Sequence, residues 1–424
     1  MLRIEQLRDQ KELVLTGLQK RHFAQAETLV DKAIEIDIKR RETQTTLDNT
    51  NADMNLRAKA IGELMKAGKK EEAAEARTAT AALKAQTKEL EDTLKAVEQA
   101  LFDVMVLLPN VPHESVKAGK GAEDNEILFE VATLPTLPDS AVPHWDLIQR
   151  LDIIDFELGN KITGAGFPVY KGKGAKLQRA LINFFLDEAD KAGYTEIMPP
   201  LLINRESGFG TGQLPDKDGQ MYHDAKDDLF LIPTAEVPIT NLYRDVILEE
   251  KDFPIKNAGY TACFRRESGS WGAHVRGLNR LHQFDKIEIV QIQHPEKSYA
   301  TLEEMRLYVE SLLQKLELPY RVLRLCGGDM GFTSALTYDL EVYSAAQKRW
   351  LEVSSVSNFE AFQANRLKLR YRDANKRNTL AHTLNGSALA LPRILASLLE
   401  NNQQADGHIR VPQVLQRFTG FDIV

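Results

Sequence analysis

Residues 261–267 read TACFRRE and residues 281–288 read LHQFDKIE, two runs of β-type sequence joined by a loop that contains glycine and serine. Two such runs with a turn-forming segment between them are typical of an antiparallel hairpin. We therefore predict a long hairpin at the centre of the chain.

Four side chains of this hairpin have chemistry suited to a nucleotide. Strand alternation predicts that Arg265 and Glu267 point the same way. It predicts the same for Phe284 and Glu288, so pairing would gather all four on one sheet surface. An arginine can clamp a phosphate, an aromatic face can stack on a base, and carboxylates accept hydrogen bonds from amino or hydroxyl groups. Solvated cross-strand ion pairs are the competing interpretation.

The chain around the hairpin predicts an α+β fold. Helical periods occur in residues 177–192, 299–318 and 388–400. Several β-type runs follow one another with only loops between them: residues 228–232, 258–266, 281–291, 320–325, 337–344, 350–355 and 380–384. Because strands and helices do not alternate regularly, an antiparallel sheet with flanking helices is expected.

The first 108 residues are different in kind. They contain no proline, three glycines and two aromatic residues, whereas the remainder holds all 16 prolines. Apolar residues recur at the 3–4 spacing of a helical seam, most regularly over residues 83–108. A turn near residues 67–70 predicts two antiparallel helices of about 37 residues, each about 55 Å long. We place the domain boundary at residue 110, with an arm in residues 1–110 and a second domain in 111–424. A dimerisation or spacer element and an arm that reaches a large partner both fit this pattern.

Composition limits the class of protein. The 424 residues carry a net charge of −7 and two cysteines, so a disulfide framework and a bulk basic surface for nucleic acid are not expected. No apolar run approaches the roughly 18 residues that span a membrane. Residues 1–9 mix acids and bases, which does not resemble a targeting segment. A cytoplasmic protein without a membrane partner is the expectation. Dinucleotide-binding, P-loop, zincin and hydrolase motifs are absent.

The hairpin residues resemble a known family. The pattern at residues 264–267 is similar to motif 2 of the class II aminoacyl-tRNA synthetases. Five segments resemble the seryl-tRNA synthetase family in its own order: residues 210–215 (GTGQLP), 233–236 (PTAE), 282–288 (HQFDKIE), 354–359 (SSVSNF) and 382–387 (HTLNGS). The N-terminal hairpin resembles the tRNA-binding arm of that family. Motif 1 would lie at about 177–200, motif 2 at about 258–291 and motif 3 at about 380–400.

The resemblance implies ATP-dependent activation of L-serine to seryl-adenylate, followed by transfer to the 3′-end of tRNA(Ser), with tRNA(Sec) as a further candidate. It implies that Arg265 and Arg393 are catalytic. It also implies an ATP site made by Arg265, Arg266, Glu267, Phe284, Glu352, Val353, Ser354, Ser355 and Arg393. The arm and the motif 2 loop would contact tRNA, and motif 1 would form a homodimer interface.

The resemblance also implies a serine site and a Mg²⁺ site. The serine site would comprise Thr234, Ala235, Glu236, Glu288, Asn385 and Ser387. A buried acid such as Glu288 would be left unpaired by alanine, which lacks the hydroxyl. Glu352 and Ser355 would hold Mg²⁺. Because positions three apart lie on opposite faces of a regular strand, we expect a bend near residues 354–355.

Motif 3 departs from the family in one place. Pro392 stands where the family usually has glycine, and proline suits only the first turn of a helix. The helix either starts later than Ser387 or has an irregular first turn.

A second basic segment is a candidate RNA contact. Four cations alternate with apolar residues, which predicts one charged strand face: Arg366, Lys368, Arg370 and Arg372. A solvated strand face is the alternative.

Two rival functions stay open from the sequence. One is a related ligase that loads an amino acid onto a carrier other than tRNA, against which the intact arm argues. The other is a coiled-coil scaffold with an inactive synthetase domain. Against it stands the joint presence of Arg265, Glu267, Glu288, Glu352, Ser355 and Arg393.

Trp271 lies in the motif 2 loop and could stack on the acceptor end of tRNA. We predict that Trp271→Ala spares adenylate formation but slows transfer to tRNA. Pyrophosphate exchange and aminoacylation, measured on the same preparation, separate the two steps. An equal loss in both would exclude a role confined to transfer.

Overall fold

The computed structural model describes residues 1–131, 133–216, 218–267 and 275–424. Trp271 therefore lies outside the described residues. The chain forms two compact units, Met1–Gln19 with Phe23–Pro109, and Lys20–His22 with Asn110–Val424.

The helices are α1 Ile4–Asp9, α2 Lys11–Lys20, α3 Ala26–Lys66, α4 Lys70–Met105, α5 His144–Arg150, α6 Phe156–Ile162, α7 Gly172–Lys191, α8 Arg205–Thr211, α9 Glu236–Asn241, α10 Ser298–Lys315, α11 Ala361–Leu367, α12 Leu391–Asn401 and α13 Gln413–Thr419. The strands are β1 Glu126–Glu130, β2 Ile154–Asp155, β3 Val169–Tyr170, β4 Thr195–Glu196, β5 Leu202–Ile203, β6 His223–Asp224, β7 Leu229–Leu231, β8 Ile247–Glu249, β9 Ile255–Phe264, β10 Gln283–Gln293, β11 Tyr320–Arg324, β12 Leu336–Ser344, β13 Arg349–Asn358, β14 Arg370–Arg372, β15 Asn378–Leu380 and β16 His382–Ala390.

The predicted N-terminal hairpin is confirmed. Helices α3 and α4 contain 41 and 36 residues, and a connection of three residues makes them antiparallel. The seam predicted for α4 is at least half-buried throughout, with Val97 and Val104 buried. Most of the remaining surface of the two helices is exposed because a two-helix seam is narrow.

The second unit is built on an eight-stranded sheet in the order β1-β11-β12-β13-β16-β10-β9-β4. Every neighbouring pair is antiparallel except β4 with β9, so the predicted α+β class is confirmed. Helices α7, α10 and α12 contribute fully buried leucines to the core, among them Leu181, Leu313 and Leu395.

The start of the motif 3 helix differs from the helical period found in the sequence. Strand β16 continues through Ala390, and α12 begins at Leu391 with Pro392 in its first turn. Of the two alternatives, the later helix start is the correct one. The missing N–H of proline is harmless there because the first turn has no intrahelical acceptor for it.

The predicted basic strand face is wrong. Arg366 lies in α11 and is 7% exposed, with its guanidinium 4.6 Å from the centroid of the Phe209 ring. Lys368 has a left-handed backbone (φ 53°), which ends the helix and breaks the alternation. Only Arg370 and Arg372 belong to a strand, and Arg372 pairs with Glu249 at 3.4 Å.

Candidate active site

Strand β10 supplies the floor of the candidate site. Phe284, Lys286 and Glu288 alternate along one face, as predicted for the first and last of them, while Ile287 points into the core on the other. Strand β10 pairs with β9 along one edge and with β16 along the other. In the β10–β16 pair, Glu288 lies opposite Ser387. Two antiparallel neighbours therefore fix where each of these side chains emerges.

Glu288 is fully buried and its carboxylate has four partners. Oε2 accepts from the hydroxyl of Thr234 at 3.2 Å and from that of Ser387 at 3.4 Å. Oε1 accepts from the side-chain amide of Asn385 at 2.9 Å. The ammonium of Lys286 lies 2.6 Å from Oε2 and supplies the neutralising charge.

A second buried carboxylate lies beside the first. Glu236 starts helix α9 and accepts from Asn385 at 2.9 Å and from Gln363 at 2.7 Å. Burial, and after it the negative charge of Glu288, raises the pKa of Glu236 to about 7. Ala235, immediately before it, is fully buried. The side-chain amide of Asn385 thus joins the two buried acids.

The end of strand β9 corrects one prediction. The strand stops at Phe264 and Glu267 has a left-handed backbone (φ 49°), so strand alternation does not relate Arg265 to Glu267. The Arg265 guanidinium instead lies 5.2 Å from the centroid of the Phe284 ring and donates to the Pro233 carbonyl at 3.3 Å. The arginine and the aromatic ring do lie on one surface, because the hairpin brings them together and not because strand alternation does.

The two neighbours of Arg265 have their own partners. Arg266 donates to the Met221 carbonyl at 3.1 Å, and its guanidinium lies over the Tyr222 ring. Glu267 forms an ion pair with Arg280, which lies just before the returning strand.

Strand β13 bends where the sequence requires it. The pairing with β12 shifts register by one residue at Val353, between Glu352 and Ser354, which confirms the predicted bend. Val353 is buried in the core, and the Ser354 hydroxyl donates to the Ser387 carbonyl at 2.5 Å. The Ser355 hydroxyl donates to Asp339.

Asp339 and Glu352 are acids on the paired strands β12 and β13, close enough for their charges to interact. Burial, and then the charge of Glu352, raises the pKa of Asp339 well above its ordinary value. Together with the Ser355 hydroxyl they form a set of oxygen donors, the kind that Mg²⁺ prefers.

Arg393 connects this strand to the end of the motif 2 loop. From the first turn of α12 it donates to the Glu352 carbonyl at 2.7 Å and to the Asn279 carbonyl at 3.0 Å. Burial, and then the charge of Arg393, lowers the pKa of Arg349. Two guanidinium groups that repel each other are suited to an anion with several charges, such as a polyphosphate.

Four residues of this region escaped the sequence analysis. Lys286 could have been found, because it lies two residues before Glu288 on the same strand face. Asp339 sits opposite Ser355 in the β12–β13 pair, and Gln363 reaches the site from a distant segment, whereas Arg349 begins the strand that carries Glu352. Only the tertiary structure brings Asp339 and Gln363 to it.

The histidines of the two matched motifs are hydrogen-bonded. His282 contacts the Tyr222 hydroxyl at 3.0 Å, and His382 contacts the Ser298 hydroxyl at 2.8 Å. Burial lowers the pKa of His382 to about 4. Among the described residues no group of three His, Cys, Asp or Glu side chains is arranged to hold a metal ion, and none of the described helices is long and apolar enough to cross a membrane.

Comparison with known proteins places this site in a class. Residues 220–402 match the tRNA synthetase class II core domain (G, H, P, S and T). That range contains the β9–β10 hairpin, the bent strand β13 and Arg393. The second unit therefore contains a class II aminoacyl-tRNA synthetase core domain.

Residues 1–112 match the seryl-tRNA synthetase N-terminal domain. Proteins named serine–tRNA ligase are similar along the whole chain: that of Salinibacter ruber is 49% identical over 422 residues, 99% of this chain and 98% of the relative. The one from Chlorobium phaeovibrioides is 45% identical, with the same coverage of both chains. The chain belongs to the seryl-tRNA synthetase family.

Solved structures agree with this assignment. Seryl-tRNA synthetase from Pyrococcus horikoshii, complexed with ATP, has a TM-score of 0.93 and 32% identity over 100% of this chain and 99% of its own. Cytoplasmic serine–tRNA ligase from Naegleria fowleri, in complex with AMP, has a TM-score of 0.88 and 27% identity over 100% of this chain and 98% of its own.

Proposed function

We propose that this chain activates L-serine with ATP and transfers the seryl group to the 3′-end of tRNA(Ser). The observation that carries the proposal is the fully buried Glu288, held by Thr234, Asn385 and Ser387 beside a second buried acid. Serine carries both groups that this site would bind: a hydroxyl that donates to Glu288 and an ammonium that pairs with Glu236.

In the first step a serine carboxylate oxygen attacks the α-phosphorus of ATP. The bond to the β-phosphate bridging oxygen breaks, and pyrophosphate leaves. The nucleophile is already ionised at neutral pH, so the protein does not need a general base. Arg265 would stabilise charge at the α-phosphate and Arg393 at the γ-phosphate, so that catalysis rests on positioning and charge neutralisation. In the second step the terminal ribose hydroxyl attacks the seryl carbonyl and AMP leaves.

Adenine recognition would use the hairpin. We propose that Phe284 stacks on the base and that Glu267 accepts from its amino group. Arg266, Val353 and Ser354 complete the proposed ATP site. Val353 is in the core, so its backbone would make any contact.

The residues around Ser355 fit a Mg²⁺ ion. The repulsion between the carboxyl groups of Asp339 and Glu352 is what a divalent cation would offset. We propose that Glu352 and Ser355 hold the ion, with Asp339 bonded to the Ser355 hydroxyl. When bound, the ion would neutralise negative charge on the phosphates.

We propose residues 1–110 as the arm that binds tRNA and residues 111–424 as the catalytic domain. The long, largely exposed hairpin suits an elongated RNA better than a compact ligand. The motif 2 loop would approach the acceptor end, and tRNA(Sec) is a second candidate substrate. A cytoplasmic location fits the two free, buried cysteines, which would stay reduced there.

ATP–pyrophosphate exchange with purified protein and Mg²⁺ tests the function directly. We expect exchange that depends on serine, and not on threonine, alanine or glycine, followed by serylation of total tRNA. Arg265→Ala should lower exchange by about a hundredfold or more, because it removes charge stabilisation at the reacting phosphate. Exchange without charging would favour the carrier ligase, and no exchange with any amino acid would favour the inactive scaffold.

The pKa of Glu236 predicts a pH dependence. Below pH 7 this carboxyl gains a proton and no longer attracts the ammonium of serine. We expect kcat/KM for serine to fall by about tenfold from pH 8 to pH 6, since kcat/KM reports the free enzyme. The KM for ATP is the internal control. The Glu236→Gln variant should have a lower kcat/KM for serine, and that value should not change over this pH range. A wild-type profile with no change between pH 6 and 8 would contradict the prediction.

We also propose a homodimer through motif 1. Supporting it, α7 and the segment after it line a cavity of about 550 Å³ beside Met198, which is 87% exposed. Met198→Glu should convert a dimer to a monomer in sedimentation velocity. Leu307→Glu, at an exposed leucine of α10, is the matched control and should remain dimeric. A wild-type monomer at micromolar concentration would overturn the proposal.

A further inference from the structure

We propose that Lys286 determines the preference for serine over alanine, by holding Glu288 as an ionised acceptor at a fixed position. This inference rests on the proposed function and assigns a role to a residue outside the proposed serine and ATP sites. Lys286 would be a positioning residue, since it acts on the substrate through Glu288.

The geometry makes Lys286 the closest partner of Glu288. Its side chain is 7% exposed, and its ammonium lies 2.6 Å from Oε2, compared with 3.2 and 3.4 Å for the hydroxyls of Thr234 and Ser387. The two residues share a face of β10, so the strand itself sets their spacing. The facing strand β16 shifts register between them, with Lys286 opposite Ala390 and Glu288 opposite Ser387.

The charges around this pair show why one cation matters. Helix α9 contributes the second acid, Glu236, and the end of β9 contributes Arg265. The thiol of Cys263 also faces Lys286 from β9, where burial raises its pKa. The partners from β16 are neutral, namely Asn385 and Ser387. Lys286 is therefore the one cation among these groups that is in hydrogen-bond contact with Glu288.

Without Lys286, Glu288 would be a buried carboxylate beside another acid. Burial and like charge both disfavour the charged form of such a group. A neutral carboxyl makes a weaker hydrogen bond to a hydroxyl than a carboxylate does. Leaving a neutral carboxyl unpaired against the methyl group of alanine also costs less free energy than leaving a carboxylate unpaired there. Loss of the lysine charge should therefore reduce discrimination more than it reduces turnover.

Stability alone does not account for the ion pair. Replacing a buried ion pair with apolar residues is often neutral or stabilising. A role in recognition makes a different demand, because it requires a carboxylate that is both ionised and immobile.

The test uses Lys286→Met, which keeps length and removes charge, and Lys286→Arg, which keeps charge. The measurement is kcat/KM for serine and for alanine in ATP–pyrophosphate exchange, with alanine at high concentration. We expect the serine-to-alanine ratio to fall at least tenfold in Lys286→Met and to recover in part in Lys286→Arg. The KM for ATP should stay within twofold. Arg306→Met removes a cation from an ion pair on α10 and should leave the ratio unchanged.

A purely structural lysine would lower both kcat/KM values together and leave their ratio as in the wild type, which would overturn the inference. If Lys286→Met does not fold, Lys286→Gln, which also removes the charge but keeps a hydrogen-bond donor near Glu288, takes its place. A wild-type ratio in that variant would equally overturn the inference. If the wild type itself shows no serine-dependent exchange, the proposed function fails and this inference with it. If the wild type is specific for serine and Lys286→Met keeps the same specificity, this inference alone is overturned.

Discussion

Strand β10 is hydrogen-bonded along both edges, to β9 and to β16, and the candidate site depends on the register of those two ladders. A slip of one residue would exchange the two faces of the strand. Ile287 would then enter the pocket and Glu288 would enter the core, where nothing apolar could compensate its charge. The core side chains on one face of the sheet thus keep the polar residues in place on the other.

Burying the polar side chains on the other face of β10 costs free energy, and this cost is offset by neutral amides and one lysine. Asn385 and Gln363 donate to the acids without adding charge, and Lys286 neutralises one of them. Among Glu236, Glu288 and Lys286 one negative charge is left over when both acids are ionised. Burial, and after it the charge of Glu288, raises the pKa of Glu236, and an amino acid's ammonium would balance the remaining negative charge. The free protein is in this sense prepared for a cation that it does not itself supply.

Sequence reasoning succeeded where a regular period held and failed where the backbone left it. The alternation along β10 placed Phe284 and Glu288 correctly, and the seam of α4 was visible from its apolar spacing. The left-handed residues Glu267 and Lys368 ended their elements, so alternation misled there. Gln363 could not have been found in this way, because it reaches Glu236 from more than a hundred residues away.

The spacing along β10 also suits the size of the proposed intermediate. Phe284 and Glu288 are four residues apart on one strand, about 13 Å at 3.3 Å per residue. That is the scale of an extended aminoacyl nucleotide, whose base and amino acid lie at opposite ends. In strand β13 the register shift at Val353 turns Glu352 and Ser355 to the same side, because their partners Glu341 and Asp339 are two residues apart on β12. The Ser354 hydroxyl, next to this bend, donates to the Ser387 carbonyl of β16. A shift of β13 at the proposed ATP site would therefore also displace β16 at the proposed serine site.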